Sequence, residues 1–386
     1  MKKAYFVEIK PTTEQAIKIN KTIGVCRYVY NFYISKNKEI YEQEKRFMSG
    51  YEFDKWLNNV HTKQQDQWMK DVSTKAVKQS IMNAEKAFQR FFQGKTGFPR
   101  YKRKKDQDVK CYFPRNNKTD WTVERHRIKI PTIGWVRLKE YGYIPKHAVV
   151  RSGTVSKKAG RYFVSVLCEV EDVKPNVPLQ STGIGIDLGI KTFAVCSDGR
   201  VFQNINYTQK VRKLKKKLRR EQRSLSRKYE NLKKRGEKPA TKRGANIDKN
   251  IFRVQKLHAR LANIRLEYVK FVANEVAKTK PRYVVIEDLN VKGMMKNRHL
   301  ARSIAEQCFY TFQTWLIHKC KKYGIEVRQV SRFYPSSKMC SRCGHMKKDL
   351  QLSDRIYVCD GCGHTMDRDL NAATSLLRAT DYIVLT

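Results

Sequence analysis

Four of the ten cysteines in this 386-residue chain fall as C-x2-C-x15-C-x2-C: Cys340, Cys343, Cys359 and Cys362. Two such knuckles deliver four thiolates from two tight turns, the donor set and spacing of a tetrahedral Zn²⁺ site. Each knuckle runs on into Gly-His (Gly344-His345, Gly363-His364). With four thiolates filling the shell, the histidines read as turn residues and one zinc ion as structural. A second set is acidic. Asp187 interrupts the apolar strand Gly183-Ile184-Gly185-Ile186-Asp187-Leu188-Gly189, where an ionised carboxylate is costly unless paired or metal-bound. Glu287 closes the apolar run Tyr283-Val284-Val285-Ile286, and Asp367 and Asp369 stand at the start of the last predicted helix. Singly, these acids also suit a strand-end turn, a solvated edge and an N-cap. Together they are a donor set for two Mg²⁺ ions about 3.5 to 4 Å apart, which orient water and stabilise the leaving oxygen of a phosphodiester. Gly185 and Gly189 flank Asp187 and leave room for backbone and phosphate to approach.

The remaining six cysteines, Cys26, Cys111, Cys168, Cys196, Cys308 and Cys320, lie singly within apolar patterns. They read as small buried hydrophobes, not as a disulfide framework. Lys plus Arg outnumber Asp plus Glu by 81 to 36, a formal charge of +45. Such an excess self-repels and calls for a polyanionic partner, nucleic acid first. Within it, Lys210 to Lys217 with Arg219, Arg220 and Arg223 would grip phosphate without reading sequence; the same run also suits a solvated face. No window approaches the ~18 apolar residues of a membrane span, so the chain is expected to be cytoplasmic, near the nucleoid, with no membrane partner.

The elements that must hold these residues are legible in outline. Tyr5 to Ile9 alternate as a strand, and Thr12 with Gln15 forms a capping box for a helix bearing Ala16, Ile19, Ile23, Cys26 and Tyr30. A second helix is predicted from about Thr74 to Phe92, so residues 12–95 read as mainly helical. From Trp121 to Glu171 the period becomes two, in Arg127 to Ile130, Trp135 to Leu138 and Tyr162 to Cys168: a small barrel or sandwich into which the N-terminal strand can pair. Val173 to Gln180 reads as a linker. Asp187 then lies on a strand followed by an Asp198-Gly199 hairpin. Heptad-like leucines (Val211, Leu214, Leu218, Leu225, Leu232; then Val254, Leu257, Leu261, Ile264) predict an antiparallel helical arm with a flexible tip over Lys234 to Asn250. A strand at Tyr283 to Ile286, a helix from about Leu300 to Lys322 and a strand at Ile325 to Val330 resume an α/β pattern before the cysteines.

A strand acid before a hairpin, a strand-end acid and a late helix-start acid match the layout of a ribonuclease H-type nuclease. At these residues the sequence resembles the TnpB family of transposon-associated, RNA-guided DNA nucleases. Gly185-Ile186-Asp187-Leu188-Gly189, Val285-Ile286-Glu287-Asp288-Leu289 and Asp369-Leu370-Asn371-Ala372-Ala373 look like its three RuvC motifs, and Tyr334-Pro335-Ser336-Ser337-Lys338 leads into the ribbon as in the family. Arg27-Tyr28-Val29-Tyr30-Asn31 and Gly97-Phe98-Pro99-Arg100-Tyr101-Lys102 are also similar to family segments, whereas Ser375 stands where an asparagine is usual. The resemblance chooses Asp369 over Asp367 as the third catalytic acid. It implies an α/β fold with β-barrel and helical parts: a wedge-type β-barrel (1–11 and 96–180), a helical recognition lobe (12–95), a RuvC nuclease domain (181–339 and 366–386) and an inserted zinc ribbon (340–365). It implies as partners a guide RNA from the transposon end and target double-stranded DNA beside a short flanking motif. Lys75 and Gln79 match positions that touch that motif; spaced i, i+4, they share one helix face, which equally suits solvent, and Gln pairs bidentately with adenine. Lys215, Lys216, Lys217, Arg219 and Arg220 are the expected phosphate contacts. Some relatives lack catalytic acids and act as RNA-guided transcriptional regulators without cleavage, the alternative reading.

Overall fold

In the computed structural model, which describes residues 2–104, 109–115, 117, 120–171, 178–237, 244–351 and 353–385, the first strand ends at Lys10 and Thr12 caps the helix that follows. Strand β1 (Lys2–Lys10) buries Tyr5, Val7 and Ile9 on one face. Helix α1 (Thr13–Glu44) starts at the predicted capping box: Thr12 Oγ1 accepts from the Gln15 N–H, and Gln15 Oε1 accepts from the Thr12 N–H. A second box, Ser49 with Glu52, starts α2 (Gly50–Trp56). A single turn, α3 (Thr62–Gln64), precedes α4 (Thr74–Phe92), which Ser73 caps. Val29, Tyr33, Ile34, Phe53, Leu57, Ile81 and Phe88 form the core of this helical part.

Strands β2 (Lys110–Pro114), β3 (Thr122–Val123), β4 (Arg127–Ile130), β5 (Gly134–Leu138), β6 (Val149–Lys158) and β7 (Arg161–Glu169) join β1 in one antiparallel sheet of order β2-β6-β7-β1-β5-β4-β3. β1 runs between β7 and β5, as the sequence allowed. The small barrel or sandwich expected here has an open strand order: among the described residues its edge strands β2 and β3, the latter two residues long, do not pair. Side-chain packing takes the place of that ladder. Buried Trp121 lies over Gly153 of β6, where a Cβ would collide with the indole, and edge-on to Phe113 of β2.

These elements make one compact unit, residues 1–172; residues 173–386 make a second. Of the expected linker, residues 173–177 lie outside the described residues, and residues 178–180 form no regular element. Strands β8 (Ile184–Leu188), β9 (Thr192–Cys196) and β10 (Val201–Gln203) follow, with Gly199 at φ +86° in the predicted Asp-Gly turn. Helices α5 (Gln209–Lys234) and α6 (Ala245–Lys278) run antiparallel, Gln222 meeting His258 and Lys228 reaching the Asn246 carbonyl. Val211, Leu214, Leu218, Leu257 and Leu261 form their seam. α6 begins well before Val254, so the segment read as a flexible tip is partly helical; its residues 238–243 lie outside the described residues. Beyond β11 (Tyr283–Glu287) come α7 (Val291–Met294), α8 (Ala301–Gln307) and α9 (Phe309–Tyr323).

The single helix expected from Leu300 to Lys322 is therefore two, broken at Cys308 with φ +59°. Cys308 is half-buried at this break, whereas the other five scattered cysteines are buried as expected. Then follow β12 (Glu326–Val330), the ribbon hairpin β13 (Ile356–Val358) and β14 (Thr365–Asp367), α10 (Arg368–Leu377) and β15 (Ile383–Val384). The main sheet has order β10-β9-β8-β11-β12-β15, parallel at β8, β11 and β12 and antiparallel outside them. Ile186, Phe193, Val272, Val276, Ile286, Phe312, Leu316 and Val327 are its core. No described helix is long and apolar enough to cross a membrane.

Candidate active site and cysteine cluster

Parallel pairing sets two of the acids side by side. Val284 lies opposite Ile184, Val285 opposite Gly185 and Ile286 opposite Ile186, so Asp187 and Glu287 are the next residues on neighbouring strands about 4.8 Å apart. The third acid arrives on α10, which crosses β8 in close contact. A Cβ at Gly185 would collide with the Ala373 carbonyl oxygen and stand 2.9 Å from the Leu377 nitrogen. The space that this glycine opens beside Asp187 is thus taken by the protein's own helix backbone. Gly189 is also tight: a Cβ there would stand 2.9 Å from the Thr192 carbonyl oxygen.

At the start of α10 the two aspartates divide their roles. Asp367 is the N-cap, its Oδ1 accepting from the N–H groups of Asp369 and Leu370 at 2.9 and 3.0 Å. Asp369 lies in the first turn, 3.6 Å from Arg368. Burial pushes Asp187 up to about 7, helped by the carboxylates of Asp369 and then Glu287, with Arg368 opposing. Burial likewise raises Glu287 to about 7, and Asp288 adds to it. A buried carboxylate raised by neighbouring carboxylates, as Asp187 is, belongs to a donor set that suits cations. Among the described residues they are not drawn into a single-ion shell: the four cysteine sulfurs are the group whose ligand atoms all lie within 4.8 Å of one another.

That cysteine group fits zinc. Sγ of Cys340 and Cys362 are 3.8 Å apart and those of Cys343 and Cys359 3.5 Å, close to the ~3.8 Å edge of a tetrahedron with ~2.3 Å Zn–S bonds. The knuckles repeat atom for atom. Gly344 N–H donates to Cys340 O and Gly363 N–H to Cys359 O, with both glycines at positive φ, +78° and +67°. Cys340 and Cys359 donate in turn to the His345 and His364 carbonyls, which makes the histidines turn residues. Cys340 and Cys359 are buried, and Cys343 and Cys362 exposed.

The two centres are tied through α10. Asn371, fully buried, donates to the Met339 carbonyl at 2.8 Å and accepts from the Ser341 N–H at 2.9 Å, gripping both sides of Cys340. Ser375 Oγ donates to the same Met339 carbonyl at 3.0 Å. Tyr334 of the Tyr-Pro-Ser-Ser segment donates to the Ser375 carbonyl.

The expected nucleic-acid contacts divide. Lys216, Lys217, Arg219 and Arg220 are exposed on α5. Lys215 is instead half-buried, its Nζ 2.5 Å from Glu306, which also binds Arg265 and Arg302 at 3.1 and 3.2 Å. Glu306 is held below the usual carboxylate range, burial being outweighed by Lys215 and Arg265. Sequence reading missed this node because its members lie on three helices; its only local signal was the Arg302–Glu306 spacing of i, i+4. On α4, Lys75 is 3.5 Å from Asp120 and Gln79 donates to Asn83. Asn31 and Lys102 clasp each other, Asn31 Oδ1 accepting from the Lys102 N–H and Asn31 Nδ2 donating to the Lys102 carbonyl. This joins the two N-terminal motifs that the sequence singled out separately.

A mixed sheet with acids at the ends of adjacent parallel strands, a helix-start acid laid across it and a four-cysteine ribbon inserted before that helix defines a RuvC-type, ribonuclease H-like nuclease fold. Family models match in three places: "Cas12f1-like, TNB domain" over residues 309–376, "Probable transposase" over 165–298 and "Helix-turn-helix domain" over 1–46, the last of which here spans β1 and α1. The chain is 31% identical to the "Putative RNA-guided DNA endonuclease InsQ" of Escherichia coli (strain K12), covering 97% of this chain and 92% of that protein. It is 30% identical to the "Putative RNA-guided DNA endonuclease" of Streptomyces pristinaespiralis, over 98% and 89%. A solved Cas12f1-sgRNA-target DNA complex aligns with 97% of this chain and 98% of its own at 18% identity, TM-score 0.35. The chain belongs to the TnpB family.

Proposed function

We propose that this protein is an RNA-guided DNA endonuclease of an insertion sequence, cutting target DNA beside a short flanking motif by metal-dependent phosphodiester hydrolysis. The observation that supports the reading is that Asp187 and Glu287 follow paired residues of adjacent parallel strands, while the helix bearing Asp369 packs on Gly185 and its carboxylate acts on Asp187. The names borne by the relatives at about 30% identity over nearly the whole chain support guidance by RNA.

In this mechanism Asp187, Glu287 and Asp369 hold Mg²⁺, which when bound supplies positive charge to the attacking and leaving oxygens. The chain's own residues place the acids. β8 and β11 fix the first two, the Asp367 cap fixes the start of α10, and the ribbon, with structural zinc on Cys340, Cys343, Cys359 and Cys362, braces that helix through Asn371. Residues 12–95 serve as recognition lobe, 1–11 and 96–180 as wedge, 181–339 and 366–386 as RuvC domain, and 340–365 as ribbon. Exposed Lys216, Lys217, Arg219 and Arg220 grip phosphate, whereas Lys215 roots the arm on Glu306. Lys75 and Gln79 face the flanking duplex.

RNA copurifying with the protein is sequenced, and a DNA matched to it is offered in Mg²⁺ beside a randomised flank. The proposal expects a discrete RNA, cutting only beside certain flanks, and loss of cutting in EDTA. Tight guided binding with no cutting would move the protein to the regulator reading.

A further inference from the structure

Beside Glu287 the second unit carries a cleft of about 210 Å³, with Leu188, Ile286, Leu289, Val291 and Phe309 as its apolar lining. Tyr310, Gln313, Asn290, Lys292 and Arg332 complete it. Its volume is below the ~300 Å³ at which pockets for drug-sized ligands begin, so it suits one flat ring system and excludes a base pair. The left-handed residue Cys308 starts α9 so that Phe309 turns into the core while Tyr310 remains 74% exposed. A largely exposed aromatic at an apolar cleft is a stacking surface in search of a ring. Gln313 is half-buried with no side-chain hydrogen bond among the described residues, and its amide offers one donor group and one acceptor to the edge of such a ring. Asn290 is less available, since its Oδ1 already accepts from the Gly293 N–H. Lys292 is exposed and has no acid partner among the described residues, so it can meet a neighbouring phosphate.

We propose that this cleft is a nucleobase subsite: it takes one unstacked base of the DNA strand being cut, next to the scissile phosphate, with Tyr310 stacking on its face and Gln313 bonding its edge. The proposal rests on the endonuclease reading and adds to it the side chains that seat the cut strand. A base inside a duplex cannot enter such a cleft, so the base it holds is unpaired. Sequence-tolerant stacking anchors the base, and the shared wall, Glu287, sets the adjacent phosphodiester against the acids.

The test uses the full chain with its RNA and a matched DNA whose cut position is first mapped from the product ends. Abasic sugars are then placed one at a time at positions flanking the cut. The subsite expects one position at which the abasic sugar slows cutting by wild type about fivefold or more. It expects Tyr310→Ala to slow cutting of intact DNA by a similar factor and the abasic DNA no further, with Tyr310→Phe close to wild type. Unchanged cutting by Tyr310→Ala, or losses from variant and abasic site that multiply, would overturn it. Failure of wild type to cut intact DNA would instead overturn the endonuclease reading and the subsite with it.

Discussion

The cysteine ribbon and the acid centre gather their candidate metal ligands in opposite ways. The ribbon takes its four sulfurs from residues 340–362, each pair within one knuckle turn, and its glycine-dependent turns are written beside the ligands. The acids come from positions 187, 287 and 369, and nothing local to any of them says that they meet. Their meeting depends on strand register and on one helix packed on one glycine. A local site tolerates its surroundings and fails ligand by ligand. A site assembled across the fold fails when the packing between its elements changes, even with every ligand intact.

Gly185→Ala should break the comparison most sharply. The added methyl meets the Ala373 carbonyl and pushes α10 from β8, costing about 1–3 kcal/mol of stability. A displacement near 1 Å at Asp369 is enough to lower cleavage about a hundredfold. Thermal unfolding, cleavage and zinc content are measured together, and zinc should stay at one per chain. Full activity in this variant would show that α10 does not set the third acid.

Cys340→Ser should act in the other direction, removing zinc and lowering cleavage about tenfold through the Asn371 brace. Asn371→Ala separates the two centres further, because it cuts the brace at a cost of about 1–3 kcal/mol while sparing every ligand. Elemental analysis should find one zinc in that variant, with cleavage reduced. Equal cleavage in wild type and both variants would show the ribbon to be independent of the acids.

On the arm, replacing Lys216, Lys217, Arg219 and Arg220 by Ala should flatten the salt slope of RNA affinity by about three if all four meet phosphate. Lys215→Ala should leave the slope nearly unchanged and cost about 1 kcal/mol of stability, since Glu306 keeps Arg265 and Arg302. An equal slope change from Lys215 alone would place it among the phosphate contacts. The smallest effect belongs to Asp367→Ala, which loses a helix cap worth about 1 kcal/mol and should keep cleavage within a few-fold of wild type.

Legibility followed the same division. The capping box at Thr12, the helix over 74–92, the Asp-Gly hairpin and the cysteine knuckles are all short-range, and each is present in the structure. The break at Cys308 escaped because a lone left-handed residue leaves the helical period on both sides intact. The strands of the barrel-or-sandwich reading are present, but whether their sheet closes turns on edge strands such as the two-residue β3, which no periodicity encodes. Gly185 reads as room for backbone and phosphate, and the backbone that approaches it is that of the protein's own α10. Lys215 looked like its neighbours until Glu306, 91 residues away, took its charge.

The central claim is that Asp187, Glu287 and Asp369 are one site, and it is tested most directly by four single alanine variants, at 187, 287, 369 and 367. Cleavage of matched DNA in Mg²⁺ is read beside guided binding of the same DNA. The account predicts that the first three lose cleavage by about a hundredfold or more with binding kept, and that the fourth stays active. Full cleavage in any of the first three, or an inactive 367 variant beside an active 369 variant, would contradict it.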